Sequence, residues 1–550
     1  MLILLDDAGL MDLGPFGGEA ATPNIDALAA QGMRFTNYHS SPVCAPSRAM
    51  LLTGSDSHFT GVPNIPEFLS EEQQQWPGYQ GVLNNKVQTI ATRLKGVGYN
   101  TYMVGKWHLG HSDANLPSKR GFDRTFILDA SGADNYEAKG YLPIKVTAQW
   151  YQDGVPVSLP EDFYSSKTYV DKTIEFMEEE SNQVQPFFSF LSFQAVHIPL
   201  QAPAEYVEKY RNLYQDGWLS LREQRFEKAK ELGIIPPDVA LGDMLPVLRK
   251  WDQLTEAEQE EAANDMAVHA AMLEAMDVHV GRYIDYLKAQ GLYENTVFVV
   301  TSDNGPEGGY PQGDPIVKQW LKWQGYHRDG DRLGEANYYG AIGTEFASAT
   351  ASPFAFFKTY TGEGGLRVPL ILSGPSIPPG ENSAFTMVTD IAPTLLELAG
   401  LDVSMLQSEV PISGKSLNPL LAGEVDRIYA SDEPVGIESA GSAALFKGDW
   451  KVMRNAKPHG DVQWRLYHIV EDPGETKDLS EAYPEKFAEL IKDYVDYADA
   501  VGVREMGVDY EAHVVVKAKV VGKAKKAVLP WLFGLLGLLI AWRVWRRFRK

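Results

Sequence analysis

Short runs of apolar, β-branched or aromatic residues recur along the chain, and each gives way to polar residues. Residues 2–5 run into Asp6 and Asp7, residues 100–104 into Gly-Lys-Trp-His-Leu-Gly, and residues 187–193 into Gln-Ala-Val-His-Ile-Pro. Residues 296–300 likewise lead to Thr-Ser-Asp-Asn-Gly, and 368–372 to Ser-Gly-Pro. Runs apolar at successive positions predict strands covered on both faces, so the pattern predicts an α/β fold with a central, mostly parallel sheet flanked by helices. Between residues 255 and 290, Met266, Ala270, Leu273, Met276, Val280, Tyr283 and Leu287 recur at threes and fours, predicting a helix with one apolar stripe. His269 and His279 on that helix read as structural. Residues 390–398 predict another helix, ended by Gly400.

Beyond about residue 420 the pattern changes. Residues 449–453 and 463–467 alternate like two antiparallel strands, and 484–499 has the apolar spacing of an amphipathic helix. The reading is a large domain over 1–420, a small α+β subdomain over 421–500, and a stalk over 501–526. Residues 527–542 carry no charge, and as a helix would reach about 24 Å against a hydrocarbon core of about 30 Å. With flanking Trp and Arg, a transmembrane helix is expected over 527–545, then a basic tail over 546–550. Five basic residues lie on each side of the span, so the positive-inside rule does not orient it.

Charge sharpens this. The net charge is −23, yet residues 517–550 hold ten Lys or Arg and no acid. The remaining 516 residues carry 40 basic and 73 acidic side chains, a net of −33. Such a body repels a phosphate backbone, which excludes nucleic acid as a partner. An anionic substrate would need a local basic island. The single cysteine, Cys44, excludes any intramolecular disulfide; alone, it reads as a small buried hydrophobe.

Two acidic pairs stand just past predicted strands: Asp6-Asp7 and Asp303-Asn304. Four hard oxygen donors suit Ca²⁺ or Mg²⁺, whereas zinc would draw on more His or Cys. Cys44 precedes Pro46, a residue suited to the first turn of a helix, so it is expected at a helix N-terminus, where an anion is favoured. A helix start also lowers a thiol pKa. A soft thiolate beside hard-cation ligands is chemically mismatched, however, and an oxygen nucleophile would fit better.

Cys44-Ala-Pro-Ser-Arg48, followed by Ala-Met-Leu-Leu-Thr-Gly54, resembles the signature of the sulfatase family. Further motifs of that family occur in order: Leu-Leu-Asp-Asp at 4–7, Gly105-Lys-Trp-His-Leu-Gly110, His197-Ile-Pro199, Ser302-Asp-Asn-Gly305, and Lys358 ahead of Glu363-Gly-Gly-Leu-Arg-Val-Pro369. The resemblance spans roughly residues 1–505 and is nearest to bacterial arylsulfatases. It implies an alkaline-phosphatase-like fold and hydrolysis of sulfate esters. It also implies that a separate formylglycine-generating enzyme oxidises Cys44, and that Ca²⁺ is held by Asp6, Asp7, Asp303, Asn304 and the modified residue 44. One hydroxyl of the hydrated aldehyde would attack sulfur, and His108 would take the proton of the other as sulfate departs. Arg48 and Lys106 would orient residue 44, Lys106 and Lys358 would neutralise sulfate oxygens, and His197 would protonate the leaving oxygen.

The resemblance leaves a formylglycine-dependent phosphonate monoester or phosphodiester hydrolase as the alternative, with a dead, membrane-tethered binding protein behind it. Two-zinc relatives commonly carry an Asp-His pair where this chain has Asp303-Asn304. The aromatic stretch 310–357 is a candidate wall for the organic part of the substrate. Only five residues precede Asp6, so a leader upstream of Met1 is expected. With the apolar C-terminal segment, this gives an envelope enzyme, anchored in a membrane and facing the periplasm or exterior.

Overall fold

The computed structural model describes residues 1–144, 147–179, 185–523 and 542. Strand β1 (Leu2–Leu5) is buried at every position. Leu2 and Leu4 enter one apolar core while Ile3 and Leu5 enter the other, as the period-2 geometry of a strand requires when both faces are covered. It is followed in chain order by β2 (Met33–Phe35), β3 (Tyr38–His39), β4 (Asn100–Lys106), β5 (Arg124–Leu128), β6 (Trp150–Gln152), β7 (Val155–Pro156) and β8 (Phe187–Ser192). Then come β9 (Phe298–Ser302), β10 (Leu370–Ser373), β11 (Gly380–Asn382) and β12 (Thr386–Met387). The last four are β13 (Pro434–Ser439), β14 (Ser442–Lys447), β15 (Trp450–Arg454) and β16 (Arg465–His468).

Ten strands form one sheet in the order β11-β2-β10-β9-β1-β8-β4-β5-β6-β7. Strands β9, β1, β8, β4 and β5 run parallel, so their carboxyl ends share one edge. The rest makes the sheet mixed rather than mostly parallel: β10 is antiparallel to both β9 and β2, and β6 is antiparallel to β5 and β7. The reversal at β10 has a consequence for the site. Ser373-Gly-Pro falls at the opposite edge, and the segment before the strand, with Lys358, reaches the edge of the parallel ends. One core contains the long helix Glu256–Ala289, whose N-cap Thr255 forms a capping box with Glu258. The other contains helices Cys44–Thr53 and Ile391–Leu398.

The predicted strands near 449–467 are β15 and β16, the inner and edge strands of an antiparallel four-stranded sheet, β13-β14-β15-β16. Helix Pro484–Val501 packs on that sheet through Leu490 and Tyr494.

Two expectations are corrected. Among the described residues no helix is long and apolar enough to cross a membrane, so a transmembrane helix over 527–545, and the membrane-anchored envelope location built on it, are not supported. The helix over residues 512–523 that precedes the segment carries Lys517, Lys519 and Lys523. Apart from Trp542, the segment itself lies outside the described residues. Residues 503–523, within the 501–526 segment read above as a stalk, lie against the 64–79 segment: Arg504 N donates to Tyr79 Oη at 2.7 Å, and Tyr510 Oη to the Phe68 carbonyl at 3.2 Å.

The four-stranded sheet is tied to the body through a buried histidine. His58 Nδ1 meets Asp56 at 3.0 Å and Nε2 meets Glu438 of β13 at 3.1 Å. Burial alone would lower its pKa, but the hydrogen bonds and charges of Asp56 and Glu438 outweigh it and raise the value from 6.5 to about 9. A histidine that binds its proton more tightly when folded contributes stability fully present below pH 6.5 and lost as pH rises through 9. Stability measured by urea unfolding is therefore expected to fall between these limits, and His58→Gln to flatten that slope. An unchanged slope would refute the coupling.

Candidate active site

The carboxyl ends of β1, β8, β4 and β9 bring together residues separated by up to 300 positions in sequence. Directly past β1, Asp6 and Asp7 are fully buried, as are Asp303 and Asn304 past β9. Lys106 ends β4, and its Nζ lies 2.6 Å from Asp6 Oδ2. The close approach of β4 to β8 depends on Gly105. Its φ is +112°, and a Cβ there would lie 1.8 Å from the Ser192 carbonyl oxygen.

Cys44 is the first residue of helix Cys44–Thr53, as the position of Pro46 predicts, and is buried. Its sulfur and one carboxylate oxygen each of Asp6 and Asp303 lie within 4.8 Å of one another. One turn on, Arg48 is buried beneath the cluster. Its Nε donates to Asp303 Oδ2 at 2.8 Å, and Nη2 lies 2.7 Å from the same oxygen and 3.6 Å from Asp6. Nη1 donates to the Lys106 carbonyl at 2.9 Å and to Ser192 Oγ at 2.6 Å. Lys358 Nζ lies between Asp7 Oδ1, at 2.7 Å, and Glu307, at 2.9 Å. Asn304 Nδ2 also donates to Asp7 Oδ1, at 2.7 Å.

This leaves Asp6 Oδ1, Asp7 Oδ2 and Asn304 Oδ1 buried without a hydrogen-bond partner. Orphaned buried acceptors are costly, and three hard oxygens on adjoining side chains of the cluster fit a divalent cation that takes oxygen ligands. Electrostatics agree. Burial pushes the Asp6 carboxyl up to about 8, against Lys106 and with Asp303 and Asp7 adding repulsion. Burial would also raise Asp7, but the charges of Lys358, His197 and Lys106 hold it well below the usual carboxylate range. Lys358 stays firmly charged, since Asp7 and Glu307 outweigh its burial.

The helix start does not activate the thiol. Burial raises Cys44 to about 12 despite the nearby lysines, so the helix start alone does not make the side chain a thiolate nucleophile. His197 is buried, with Nε2 3.9 Å from Asp7 Oδ2. Its Nδ1 lies 2.6 Å from the Ile198 carbonyl, which can only accept, so Nδ1 carries the proton. Burial, then the positive charge of Lys106, hold the ring neutral, and Nε2 presents its lone pair to the site. His108, at a φ of 57°, meets Glu67 through Nε2 at 3.2 Å, and burial lowers its pKa to about 4.

All ten residues expected at the site therefore fall at this one edge of the sheet. Sequence reasoning missed Glu307 and Glu67. Glu307 had a signal, four positions past Asp303; Glu67 sits in an irregular loop with none.

The sulfatase family model matches residues 1–401. An uncharacterised sulfatase of Schizosaccharomyces pombe is 34% identical over 523 residues, covering 92% of this chain and 94% of the relative. The arylsulfatase of Klebsiella aerogenes is 36% identical over 420 residues, covering 75% of this chain and 89% of its own. A solved structure, Ps i-CgsB in complex with k-i-k-neocarrahexaose, superposes with a TM-score of 0.63 at 23% identity, covering 96% of this chain and 98% of that one.

Proposed function

The chain belongs to the sulfatase family and is a sulfuric ester hydrolase, and from that premise we propose that it cleaves aryl-type sulfate monoesters through a hydrated formylglycine made from Cys44, with Ca²⁺ bound beside it. The observation that carries this reading is the buried sulfur of Cys44 within 4.8 Å of carboxylate oxygens of Asp6 and Asp303, together with unpartnered buried oxygens on Asp6, Asp7 and Asn304. Ca²⁺ held by Asp6, Asp7, Asp303, Asn304 and residue 44 would supply charge neutralisation and a lowered pKa for an oxygen nucleophile. Ca²⁺ suits the set better than Mg²⁺, which keeps several waters and would not use so many protein donors.

The chain's own groups divide the remaining work. Arg48 and Lys106 fix the carboxylates and orient residue 44. Lys106 and Lys358 neutralise the sulfate oxygens, and their charge is preorganised because each is already held by a buried aspartate. His197 Nε2 contacts the ester and passes a proton to the leaving oxygen, a role that requires the bound anion to raise its pKa. His108, kept neutral by burial, takes a proton as sulfate is released. The net reaction consumes water and yields sulfate and a phenol or alcohol. The burial-raised thiol speaks against a thiolate nucleophile at position 44 and leaves that role to an oxygen.

The test is the mass of the peptide containing Cys44 from protein co-expressed with a formylglycine-generating enzyme. Conversion removes about 18 Da, the difference between CH₂SH and CHO, at a site of oxidative chemistry. A peptide that retains only the thiol overturns the mechanism. Parallel assays with an aryl sulfate and a phosphodiester separate a sulfatase from a phosphodiesterase of the same architecture.

A further inference from the structure

We infer that the helix over residues 512–523 is the roof of the cavity that receives the organic group of the ester, and that it selects an apolar group: an aryl ring or a medium-length alkyl chain. The inference rests on the proposed function only for the position of the sulfate.

A cavity of about 470 Å³ opens outward from Cys44, His197 and Lys358, a size that suits a small organic ligand. Above that floor most of the lining is apolar, with Phe68, Leu142, Ile198, Val317 and Phe357 among it, while Asp314, Lys457, His459 and His513 reach its margins. The helix closes the cavity with Ala512, Val516 and Val520. These recur every four residues and therefore share one face of the helix. Val520 is buried, whereas Val514, off that face, is 50% exposed.

The helix is held on both sides of the cavity. Lys517 Nζ pairs with Asp314 at 2.8 Å, and Asp314 caps helix Pro315–Trp323, which supplies Val317. On the other side, Lys519 Nζ donates to the Pro66 carbonyl at 2.8 Å, next to Glu67 and Phe68.

A saccharide would bring several hydroxyls into this space, each needing a partner to replace water. Most polar side chains of the lining are already engaged with the protein: Ser131 with Tyr141 at 3.0 Å, Glu307 with Lys358 at 2.9 Å, Glu67 with His108 at 3.2 Å, Tyr310 with Glu261 at 2.9 Å and Lys457 with Asp509 at 2.9 Å, whereas His459 keeps an unpartnered Nδ1. An apolar group meets the opposite balance, because each methylene buried is worth about fourfold in affinity.

The experiment is equilibrium binding of octanesulfonate and methanesulfonate to the full chain with Cys44 unconverted, by calorimetry. Sulfonates are not hydrolysed, so the result is independent of turnover. Methanesulfonate reports the floor, and the ratio of the two affinities reports the walls. The ratio is expected to exceed about 50 in the wild type, to fall about tenfold in Val516→Ser/Val520→Ser and about threefold in the milder Val516→Ala, and to hold in Val514→Ser. Binding of neither sulfonate, or a ratio that is unchanged or higher in the double variant, overturns the roof. Hydrolysis of an aryl sulfate by converted enzyme tests the proposed function separately. Its absence, with the binding ratio intact, would remove that reading and leave the roof standing.

Discussion

Exchanging Cys44 for alanine is expected to lower kcat/KM for an aryl sulfate by about 10⁴-fold or more, the scale of losing a covalent nucleophile. The same change should leave the fold nearly intact. Cys44 is a small buried side chain at the start of a helix whose remaining residues are also buried, so trimming one sulfur costs about 1 kcal/mol of stability. Serine is the informative partner variant. It restores an oxygen, but it offers one hydroxyl where a hydrated aldehyde offers two, so release of sulfate loses its driving step and turnover should cease after the first cycle. Steady-state assays with thermal unfolding on the same samples decide the matter. If the alanine variant keeps more than about a hundredth of wild-type activity, a range that positioning and charge alone can sustain, the nucleophile is elsewhere.

Much of the arrangement behind that expectation was legible in the chain. Runs such as residues 2–5 and 187–193 announced strands because both faces are buried, and the polar residues after them announced the site because parallel strands end together. That same double burial hid the direction of β10. Leu370–Ser373 is buried throughout, and an apolar run looks alike whether it pairs parallel or antiparallel. Strand β13 was hidden for another reason: Pro434 and Gly436 read against a strand. Proline is tolerated there because β13 is an edge strand, and glycine is required because a Cβ at 436 would lie 2.3 Å from the Tyr497 ring. The three-residue apolar stripe at 512, 516 and 520, set among lysines, was too short to separate a docked helix from a charged linker.

The second large effect is expected at Arg48, where stability and function should fall together. The guanidinium is fully buried and makes two contacts with Asp303, one longer contact with Asp6, and two hydrogen bonds to Lys106 and Ser192. Arg48→Met keeps the volume roughly but strips the cation from two buried carboxylates. Breaking a buried pair on one side costs about 3–5 kcal/mol, because the remaining charge is left without compensation. Arg48→Lys restores charge without the planar fork, so it should recover only part of the loss. Activity should drop about 10³-fold in the methionine variant, as for other preorganised electrostatic groups. The two carboxylates also supply the reading that separates an ion site from a plain structural network. With Arg48 gone, Asp6 and Asp303 carry less neutralisation, and a cation that binds only the folded chain stabilises it by RT ln(1 + [L]/Kd). Added Ca²⁺ should thus raise the melting temperature of Arg48→Met by more than that of the wild type. No shift in either protein would mean that the aspartates face the arginine alone, and that no cation is gripped between them.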